Sequence, residues 1–415
     1  MKTGRRVAVT GMGAVTPVGT GLDRFWEGLV AGRNGIARVS HFDSSAFSSQ
    51  MAAEVRDFEP ERWIDRKSAG RMDRFTQFAV AASEMALADA GLAEARPPPE
   101  RTGVIIGSGI GGSAAIESGA ALLRAKGPRG LDPFFVTRVL VNMAACAVSI
   151  RRGFKGPISA PSVACSTGAN AIGDAFRIIE RGEADVMLAG ASEAAITPLS
   201  YGGFCATRSM SRRNDRPEKA SRPFDKHRDG FVMGEGAGIV VLEEMNRAIC
   251  RKARIYAEMA GYGNVADAFH LTAPEPSGDG MVRAMRAALE DAGLAPDEVG
   301  YVNAHGTSTD LNDKIESAAI GRTFGEQARR LKISSTKSMI GHLLSAAGAV
   351  ECIATVLSVH RGVVPPTINY EEPDPDCPWD YVTGGAEAVD LRAAISNSFG
   401  FGGGNVCLAI KSYRS

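Results

Sequence analysis

The chain has 415 residues, with 47 lysines and arginines against 47 aspartates and glutamates, so its formal net charge is zero. This length is enough for two or three domains, and the balanced charge argues against a protein that coats nucleic acid or adsorbs broadly to membrane surfaces. Glycine contributes 48 residues, but 44 % of the chain is hydrophobic. We therefore expect the glycines in tight backbone sites of a globular fold rather than in flexible linkers.

Strand-like and helix-like segments alternate along the whole chain. In chain order, strands are predicted at 5–10, 103–107, 184–190, 238–244, 253–263, 301–304 and 393–397, and helices at 72–89, 166–181 and 280–292. Apolar strands between amphipathic helices predict sheets covered on both faces, which is an α/β layered architecture. No linker is evident, and the nearest thing to a boundary separates an N-terminal half, 1–252, from a C-terminal half, 253–415.

The cysteines and the apolar segments bear on the cellular location. Seven cysteines are scattered without a CxxC pair, which predicts free thiols in a reducing cytoplasm rather than disulfides or a zinc site. The basic N-terminus lacks a long apolar segment, so no secretory signal is expected. The stretch 343–359 is nearly long enough to span a membrane, but it contains Glu351 and many small residues. We expect it to form a helix buried within the protein.

A glycine loop at 107–112 has the pattern G-x-G-x-x-G after a predicted strand. A dinucleotide site would also need an acidic residue at the end of a second strand. The acid found downstream, Asp132, stands before a proline instead. We therefore expect a tight turn that lines a pocket.

The clearest candidate nucleophile is Cys165. A small-residue strand is predicted to end at Ala164, so that Cys165 stands at the start of a helix that Ser166 or Thr167 can cap. Free backbone N–H groups and the helix dipole favour a thiolate there, as an acyl-accepting nucleophile requires. Pro161 does not fit this pattern well, because a proline inside a central strand removes a hydrogen-bond donor.

Two of the six histidines stand at predicted strand-to-helix corners. His305 follows the strand 301–304 and opens a glycine- and hydroxyl-rich turn, and His342 follows Lys337 at the start of a small-residue helix. Either histidine alone could be a core residue. Two histidines, a lysine and a cysteine at such corners together indicate a crevice with acyl-transfer chemistry. The glycine-rich segment 396–405 predicts a loop whose backbone can approach a ligand closely.

Five motifs occur together and in order: VAVTGMGAVTPVG, RPFDKHRDGFVMGEGAG, AHGTST, KSMIGHLLSAAGAVE and NSFGFGGGN. With them, the sequence resembles the elongating β-ketoacyl-[acyl-carrier-protein] synthases, condensing enzymes of the thiolase superfamily, over essentially its whole length. The resemblance implies a thiolase-like five-layer αβαβα sandwich of two similar halves, which is normally a cytoplasmic homodimer. It also implies that an acyl group on Cys165 condenses with malonyl-acyl-carrier protein, with loss of CO2, to give a 3-oxoacyl carrier two carbons longer.

The resemblance further implies roles for individual residues. Cys165, His305 and His342 match the nucleophile and the two catalytic histidines, and Lys337 matches a supporting lysine expected to pair with Glu316. The backbone N–H groups of Cys165 and Phe401 match an oxyanion hole. Positions that contact the substrate are matched by Ile110, Phe204, Thr307, Thr309, Phe399 and Phe401, and supporting acids by Asp313 and Glu316. Basic positions that dock the carrier are matched by Lys67, Arg71, Arg129 and Arg208. No cofactor is required, but a site for Na⁺ or K⁺ is matched by Asn303, Glu351, Ser396 and Asn397.

The chain also departs from the family pattern, and other functions stay open. Gly404 stands where threonine is usual, Ser345 where glycine is common, and Gly130 where a basic residue is frequent. A ketosynthase of a polyketide or specialised-lipid pathway would use the same chemistry. A degradative thiolase would need a second cysteine where this chain has Phe399, and a chain-length-factor partner would lack Cys165.

Overall fold

The computed structural model describes residues 4–95 and 97–413. Its strands are β1 Val7–Thr16, β2 Gly19–Thr20, β3 Ile36–Arg38, β4 Met51–Ala53, β5 Thr102–Gly107, β6 Ile158–Ser159, β7 Val186–Glu193, β8 Gly236–Glu244, β9 Ala257–Ala266, β10 Val299–Asn303, β11 Lys332–Ser334, β12 Val363–Val364, β13 Glu387–Ala388, β14 Ala393–Gly400 and β15 Gly404–Lys411. Its helices are α1 Leu22–Val30, α2 Arg66–Ala69, α3 Arg74–Asp89, α4 Ser113–Lys126, α5 Phe135–Val139, α6 Met143–Arg152, α7 Thr167–Glu180, α8 Pro198–Ala206, α9 Met245–Cys250, α10 Asp279–Ala292, α11 Asp310–Phe324, α12 Lys337–Ile340 and α13 Ala347–Arg361.

The main sheet consists of two halves that repeat each other. Its order is β11-β10-β14-β15-β9-β1-β8-β7-β5-β6, so the first five strands come from the C-terminal half of the chain and the last five from the N-terminal half. Within each half the two outer pairings are parallel and the two inner ones antiparallel. Short antiparallel pairing between β1 and β9 joins the halves.

Helices form three layers around these strands. In one outer layer, α3 and α6 pack on the N-terminal strands, and in the other α10 and α11 cover the C-terminal strands. Between them, α7 and α13 contact each other and strands of both halves. The predicted five-layer αβαβα sandwich is thereby confirmed.

The central layer explains why the apolar stretch 343–359 has so few polar residues. Most of it forms α13, whose residues from Ala347 to Val359 are all buried between the two halves of the sheet. Within the described part of the chain, no helix combines the length and the apolar character needed to cross a bilayer.

The strand predicted to end at Ala164 is shorter than expected. Strand β6 pairs with β5 at the edge of the sheet and ends at Ser159, and the chain then runs irregularly towards Cys165. Pro161 therefore lies outside the strand and removes no donor from the sheet. Its carbonyl approaches Gly107, where a side-chain Cβ would come within 2.5 Å of the Pro161 oxygen. A glycine is needed at this end of β5 because the two backbones come so close together.

Candidate active site

A cavity of about 390 Å³ lies between the two halves and collects the predicted site residues. Cys165 reaches it from the turn before α7, His305 from the turn after β10, and His342 from the segment between α12 and α13. The walls also include the aromatic and hydroxyl side chains predicted to contact substrate: Phe204, Thr307, Thr309, Phe399 and Phe401. The N-terminal half thus supplies the cysteine and the C-terminal half both histidines.

Cys165 occupies a single 3₁₀ turn, 164–166, directly before α7. Ala164 has a φ of +45°, in the left-handed region that costs a residue with a Cβ about 1–2 kcal/mol. Thr167 holds this turn: its hydroxyl accepts from the N–H of Val163 (2.8 Å) and donates to the Ala164 carbonyl (2.7 Å). The expected side-chain cap of α7 is absent at Ser166, so the turn is held by these local hydrogen bonds of Thr167 rather than by a cap from Ser166.

Ser166 instead connects the cysteine turn to the glycine-rich hairpin between β14 and β15. Its hydroxyl makes contacts with the carbonyls of Ser398 (3.0 Å) and Gly404 (2.6 Å). A Cβ built on Gly404 would lie 2.7 Å from a methyl group of Val163. The glycine found at 404 in place of the usual threonine therefore leaves room for the Val163 side chain beside the nucleophile.

Cys165 is half-buried and lines the cavity, and its protein surroundings control the ionisation of its thiol. Burial raises its pKa to about 11, although the Lys337 ammonium and a hydrogen bond from the backbone N–H of Phe401 both act to lower it. The prediction of a resting thiolate is therefore not supported, because the cost of desolvating the anion exceeds these stabilising effects. Burial thus favours the neutral thiol at Cys165, which would have to lose its proton in order to act as a nucleophile.

His305 is held as a neutral N–H donor. Its backbone N–H donates to the Glu316 carboxylate (2.8 Å), and its Nδ1 lies 3.3 Å from the Lys337 ammonium, which also donates to the His305 carbonyl (2.6 Å). Since an ammonium can only donate, Nδ1 accepts and the ring proton sits on Nε2. Burial and the Lys337 charge hold the pKa of His305 well below its usual range.

His342 is also held with its ring proton on Nε2, but by a different contact. The backbone N–H of Leu344 donates to its Nδ1 at 3.2 Å, which again leaves the proton on Nε2. Leu344 has a φ of +52°, so this contact depends on a strained turn. Burial and Lys337 also hold the pKa of His342 well below its usual range. The two imidazole rings lie 5.4 Å apart and nearly perpendicular, and both line the cavity.

Lys337 pairs with Glu351, not with Glu316 as expected. Both side chains are fully buried, and the ammonium donates directly to the Glu351 carboxylate. The expectation of Glu316 came from the family resemblance, and the packing of α12 against α13 places Glu351 beside the ammonium instead. Glu316 instead accepts the N–H groups of His305 and Gly306, each at 2.8 Å, and burial raises its pKa to about 7.

The other supporting acid, Asp313, stabilises the hydroxyl-rich turn. It accepts the backbone N–H groups of Ser308 (3.1 Å) and Phe224 (2.9 Å). Ser308 has a φ of +68°, and its neighbours Thr307 and Thr309 bring their hydroxyl oxygens within 2.9 Å of each other at the cavity wall. Asp313 thus helps to hold two hydroxyl groups where a polar substrate arm could bind.

Four residues predicted as cation ligands carry buried oxygens without a hydrogen-bond donor. Within the described residues, these atoms are Asn303 Oδ1, Glu351 Oε2, Ser396 Oγ and Asn397 Oδ1. Asn303 and Ser396 are paired across β10 and β14, so two of the four are neighbours in the sheet. Unpaired buried oxygens are costly, and oxygens of this kind are ligands that a hard cation takes. Asn303 and Ser396 therefore offer neighbouring oxygens to a Na⁺ or K⁺ ion, whereas the Asn397 side chain donates to Glu316 on α11. Binding of such an ion stays a prediction.

Ile110 is the one predicted substrate residue that does not line the cavity wall. It packs behind the wall, in an apolar cluster that includes Phe204, Phe231 and Leu344, which do line it. Phe231 contacts both Phe204 (ring centroids 5.9 Å apart) and His342 (5.4 Å) edge-on. Aromatic rings therefore line the apolar end of the cavity, and Ile110 packs against the same apolar cluster.

Neither Phe231 nor Leu344 was singled out from the sequence. Phe231 lies in the motif RPFDKHRDGFVMGEGAG, so this motif could have indicated it as a residue of the site. Leu344 follows His342 by two residues, but it acts through its backbone N–H. No side-chain pattern could have revealed that contact.

The four basic residues predicted to dock a carrier are all exposed. Among the described residues, none of the four forms an ion pair with a carboxylate; they are Lys67, Arg71, Arg129 and Arg208. The Arg71 guanidinium stacks over the Phe134 ring at 4.7 Å, and Arg208 lines the mouth of the cavity. Positive charge without intramolecular partners thus lies on the protein surface, including the mouth of the cavity.

Comparison with known proteins agrees with this geometry. Residues 4–248 match the family described as "Beta-ketoacyl synthase, N-terminal domain", and residues 256–371 match the corresponding C-terminal domain. The chain is 51 % identical over 410 residues, 99 % of each protein, to 3-oxoacyl-[acyl-carrier-protein] synthase 2 of Synechocystis sp..

Solved structures show the same fold. A β-ketoacyl synthase from Burkholderia phymatum is similar over the full length of both chains, with a TM-score of 0.93 and 40 % identity. A ketosynthase solved in complex with its type II polyketide acyl-carrier protein is similar over 99 % of this chain and 100 % of that one, with a TM-score of 0.92 and 37 % identity. The chain therefore belongs to the β-ketoacyl synthase family.

Proposed function

We propose that this protein catalyses the decarboxylative condensation of an acyl group on Cys165 with malonyl-acyl-carrier protein, in fatty acid elongation. The observation that carries the proposal is the joint placement of one thiol and two neutral imidazoles in a single cavity with an apolar end. The full-length similarity to 3-oxoacyl-[acyl-carrier-protein] synthase 2 supports it. The alternative, a polyketide or specialised-lipid ketosynthase, rests on lower identities, as with the 37 % of the polyketide ketosynthase.

In the first step, the Cys165 sulfur attacks the carbonyl carbon of an acyl-carrier thioester. The Cys165 and Phe401 backbone N–H groups would hold the resulting oxyanion, which supports catalysis by about 2.7–4 kcal/mol per donor. The bond to the carrier sulfur then breaks, and the proton of the Cys165 thiol leaves with the carrier as its thiol. The acyl chain lies towards the apolar cluster around Phe231.

In the second step, malonyl-carrier protein occupies the cavity and loses CO2. The electron pair of the broken carbon–carbon bond forms an enolate, whose oxygen would accept the Nε2–H groups of His305 and His342. Because both rings are neutral, they can stabilise this charge without giving up a proton. The enolate carbon attacks the acyl thioester, the Cys165 sulfur departs, and one proton from solvent restores the thiol.

The proposed halves 1–252 and 253–415 would form one catalytic unit. Cys165 comes from the first half and both histidines from the second, and α7 and α13 pack together between them. Neither half alone would therefore hold a complete site.

We also propose that an acyl carrier protein docks beside the cavity mouth. Carrier proteins deliver their acyl groups on a flexible arm, and the unpaired Lys67, Arg71, Arg129 and Arg208 would complement an acidic carrier surface. The solved complex of a related ketosynthase with its carrier protein supports this kind of partner. Thr307 and Thr309 are placed to hydrogen-bond the arm.

A homodimer is the proposed assembly. Strand β6 is exposed at the edge of the sheet, and apolar side chains are exposed on α4, on α5 and just after α5, at Leu123, Val136 and Leu140. An exposed edge strand and exposed apolar side chains both favour association with a second copy. Sedimentation should give a mass twice the 43.6 kDa of one chain. The substitution Val136→Glu should lower the measured mass towards that of a single chain. A single-chain mass for the unaltered protein would refute the dimer.

The seven free cysteines support a cytoplasmic location. Recovery of the native protein in the cytoplasmic fraction of its cells would agree with it, and recovery outside the cytoplasm would not.

The condensation proposal is tested with Cys165→Ala. Acyl-carrier thioesters of graded length are mixed with the protein, and the acyl adduct is measured by mass spectrometry before malonyl-carrier is added. We expect an adduct and a 3-oxoacyl product for the unaltered protein, and neither for Cys165→Ala. The exposed Cys250 provides the matched control, because Cys250→Ala should keep both. Full acylation of Cys165→Ala would overturn the assignment.

A further inference from the structure

Glu193, at the end of β7, is a fully buried carboxylate with no part in the proposed mechanism. It accepts four hydrogen bonds. Three come from the loop after β5: Ser108 Oγ (3.1 Å), Gly109 N (2.9 Å) and Ile110 N (3.3 Å). The fourth comes from Ser345 Oγ at 2.6 Å. We call residues 108–110 the Ile110 loop.

The Ile110 loop supports the apolar end of the cavity. Ile110 packs with Phe204 and Leu344, which face the cavity directly. The contact between loop and carboxylate is close, since a Cβ on Gly109 would lie only 2.9 Å from Glu193 Oε2. A shift of the Ile110 loop would therefore move a residue that packs in the same apolar cluster as the cavity-lining Phe204 and Leu344.

Ser345 connects this loop to the other half of the protein. It lies in the turn 344–346 that follows His342, directly after the Leu344 backbone N–H that fixes the His342 ring. Three of the four donors to Glu193 belong to the Ile110 loop, whereas the carboxylate itself is carried by the last residue of β7. The Ser345 hydroxyl is the one donor of the four that comes from the C-terminal half, so it connects the carboxylate to that half.

We propose that Ser345 and Glu193 act together as positioning residues that set the longest acyl chain accepted by Cys165. The inference rests on the proposed function, because it assigns an acyl chain to the apolar end of the cavity. The hydrogen bond from Ser345 to Glu193, called the clamp below, is the one contact of the four that comes from the C-terminal half.

The test compares Ser345→Ala and Ser345→Gly with the unaltered protein, using acyl-carrier thioesters of graded length and the mass of the Cys165 adduct. Removing one hydrogen bond to a charged group changes an equilibrium by about tenfold or more. We expect acylation by the first chain length beyond the normal limit to rise about tenfold in both variants. Acylation by short chains should stay within about twofold.

The matched control is Ser358→Ala. Ser358 is a buried serine of α13 whose hydroxyl donates only to the Ala354 carbonyl of its own helix (2.9 Å). Its loss should leave the length profile unchanged. If Ser358→Ala also raised the longest acyl chain accepted by Cys165, any loosening of α13 would have the same effect. That result would overturn the specific role of Ser345.

Two further outcomes would also refute the clamp. One is an unchanged length limit in Ser345→Ala and Ser345→Gly, and the other is an equal loss of acylation at every length, as a purely structural role would give. Failure of the proposed function is a separate result, because the unaltered protein would then form no adduct with any acyl carrier.

Discussion

The buried pair of Lys337 and Glu351 allows the sharpest quantitative prediction. Both side chains are at most 1 % exposed, and Lys337 also donates to the His305 carbonyl at 2.6 Å. Lys337→Met removes the charge but keeps a side chain of similar length. Glu351 is then left buried without its ammonium partner, and its second oxygen already lacks a donor among the described residues.

Breaking a buried ion pair from one side costs about 3–5 kcal/mol, because the remaining charge stays desolvated. We expect Lys337→Met to lower the free energy of unfolding by this amount at pH 8. The double variant Lys337→Met with Glu351→Gln removes both charges and should regain most of the loss. Urea unfolding followed by circular dichroism measures the difference between the single and double variants.

The pH dependence provides an independent check with a defined sign. Burial raises the pKa of Glu351 above its value in the unfolded chain, and the Lys337 charge offsets part of this rise. A carboxyl group with a raised pKa in the folded state destabilises the protein at high pH, and this penalty declines as pH falls through the folded pKa. The free energy of unfolding of Lys337→Met should therefore lie less far below that of the double variant at pH 5 than at pH 8. Equal deficits at both values, or a double variant no more stable than the single one, would refute the reasoning.

Three other predictions follow from the site. Ile110→Phe should shorten the longest acyl chain found on Cys165, because it pushes bulk into the apolar cluster; an unchanged limit would contradict this placement. Arg71→Glu with Arg208→Glu should raise KM for carrier-bound substrate about tenfold but spare acyl-CoA, and equal effects on both substrates would argue against docking there. At constant ionic strength, K⁺ or Na⁺ should raise the thermal midpoint above that in choline, and Ser396→Ala should reduce the gain; no ion-specific shift would exclude the cation.

Residue types and short-range spacing were enough to predict much of this protein. Alternating apolar runs predicted the layered α/β fold, because period and burial are properties of local sequence. The sequence placed Cys165, His305 and His342 at strand-to-helix corners that face one crevice, but in the structure only His305 directly follows a strand, while Cys165 follows an irregular segment after β6 and His342 lies between α12 and α13. The structure brings all three into one cavity.

Interactions between distant segments could not be predicted in this way. Lys337 was expected to pair with Glu316, but burial of α13 at the centre of the molecule brings it to Glu351 instead. The thiol of Cys165 was expected to ionise at its helix, but the surrounding protein raises its pKa to about 11. The contact from Leu344 to His342 uses only backbone atoms. The sequence thus specifies which chemical groups are present and near which corners, whereas partner choice and ionisation depend on packing, because desolvation and charge act through space rather than along the chain.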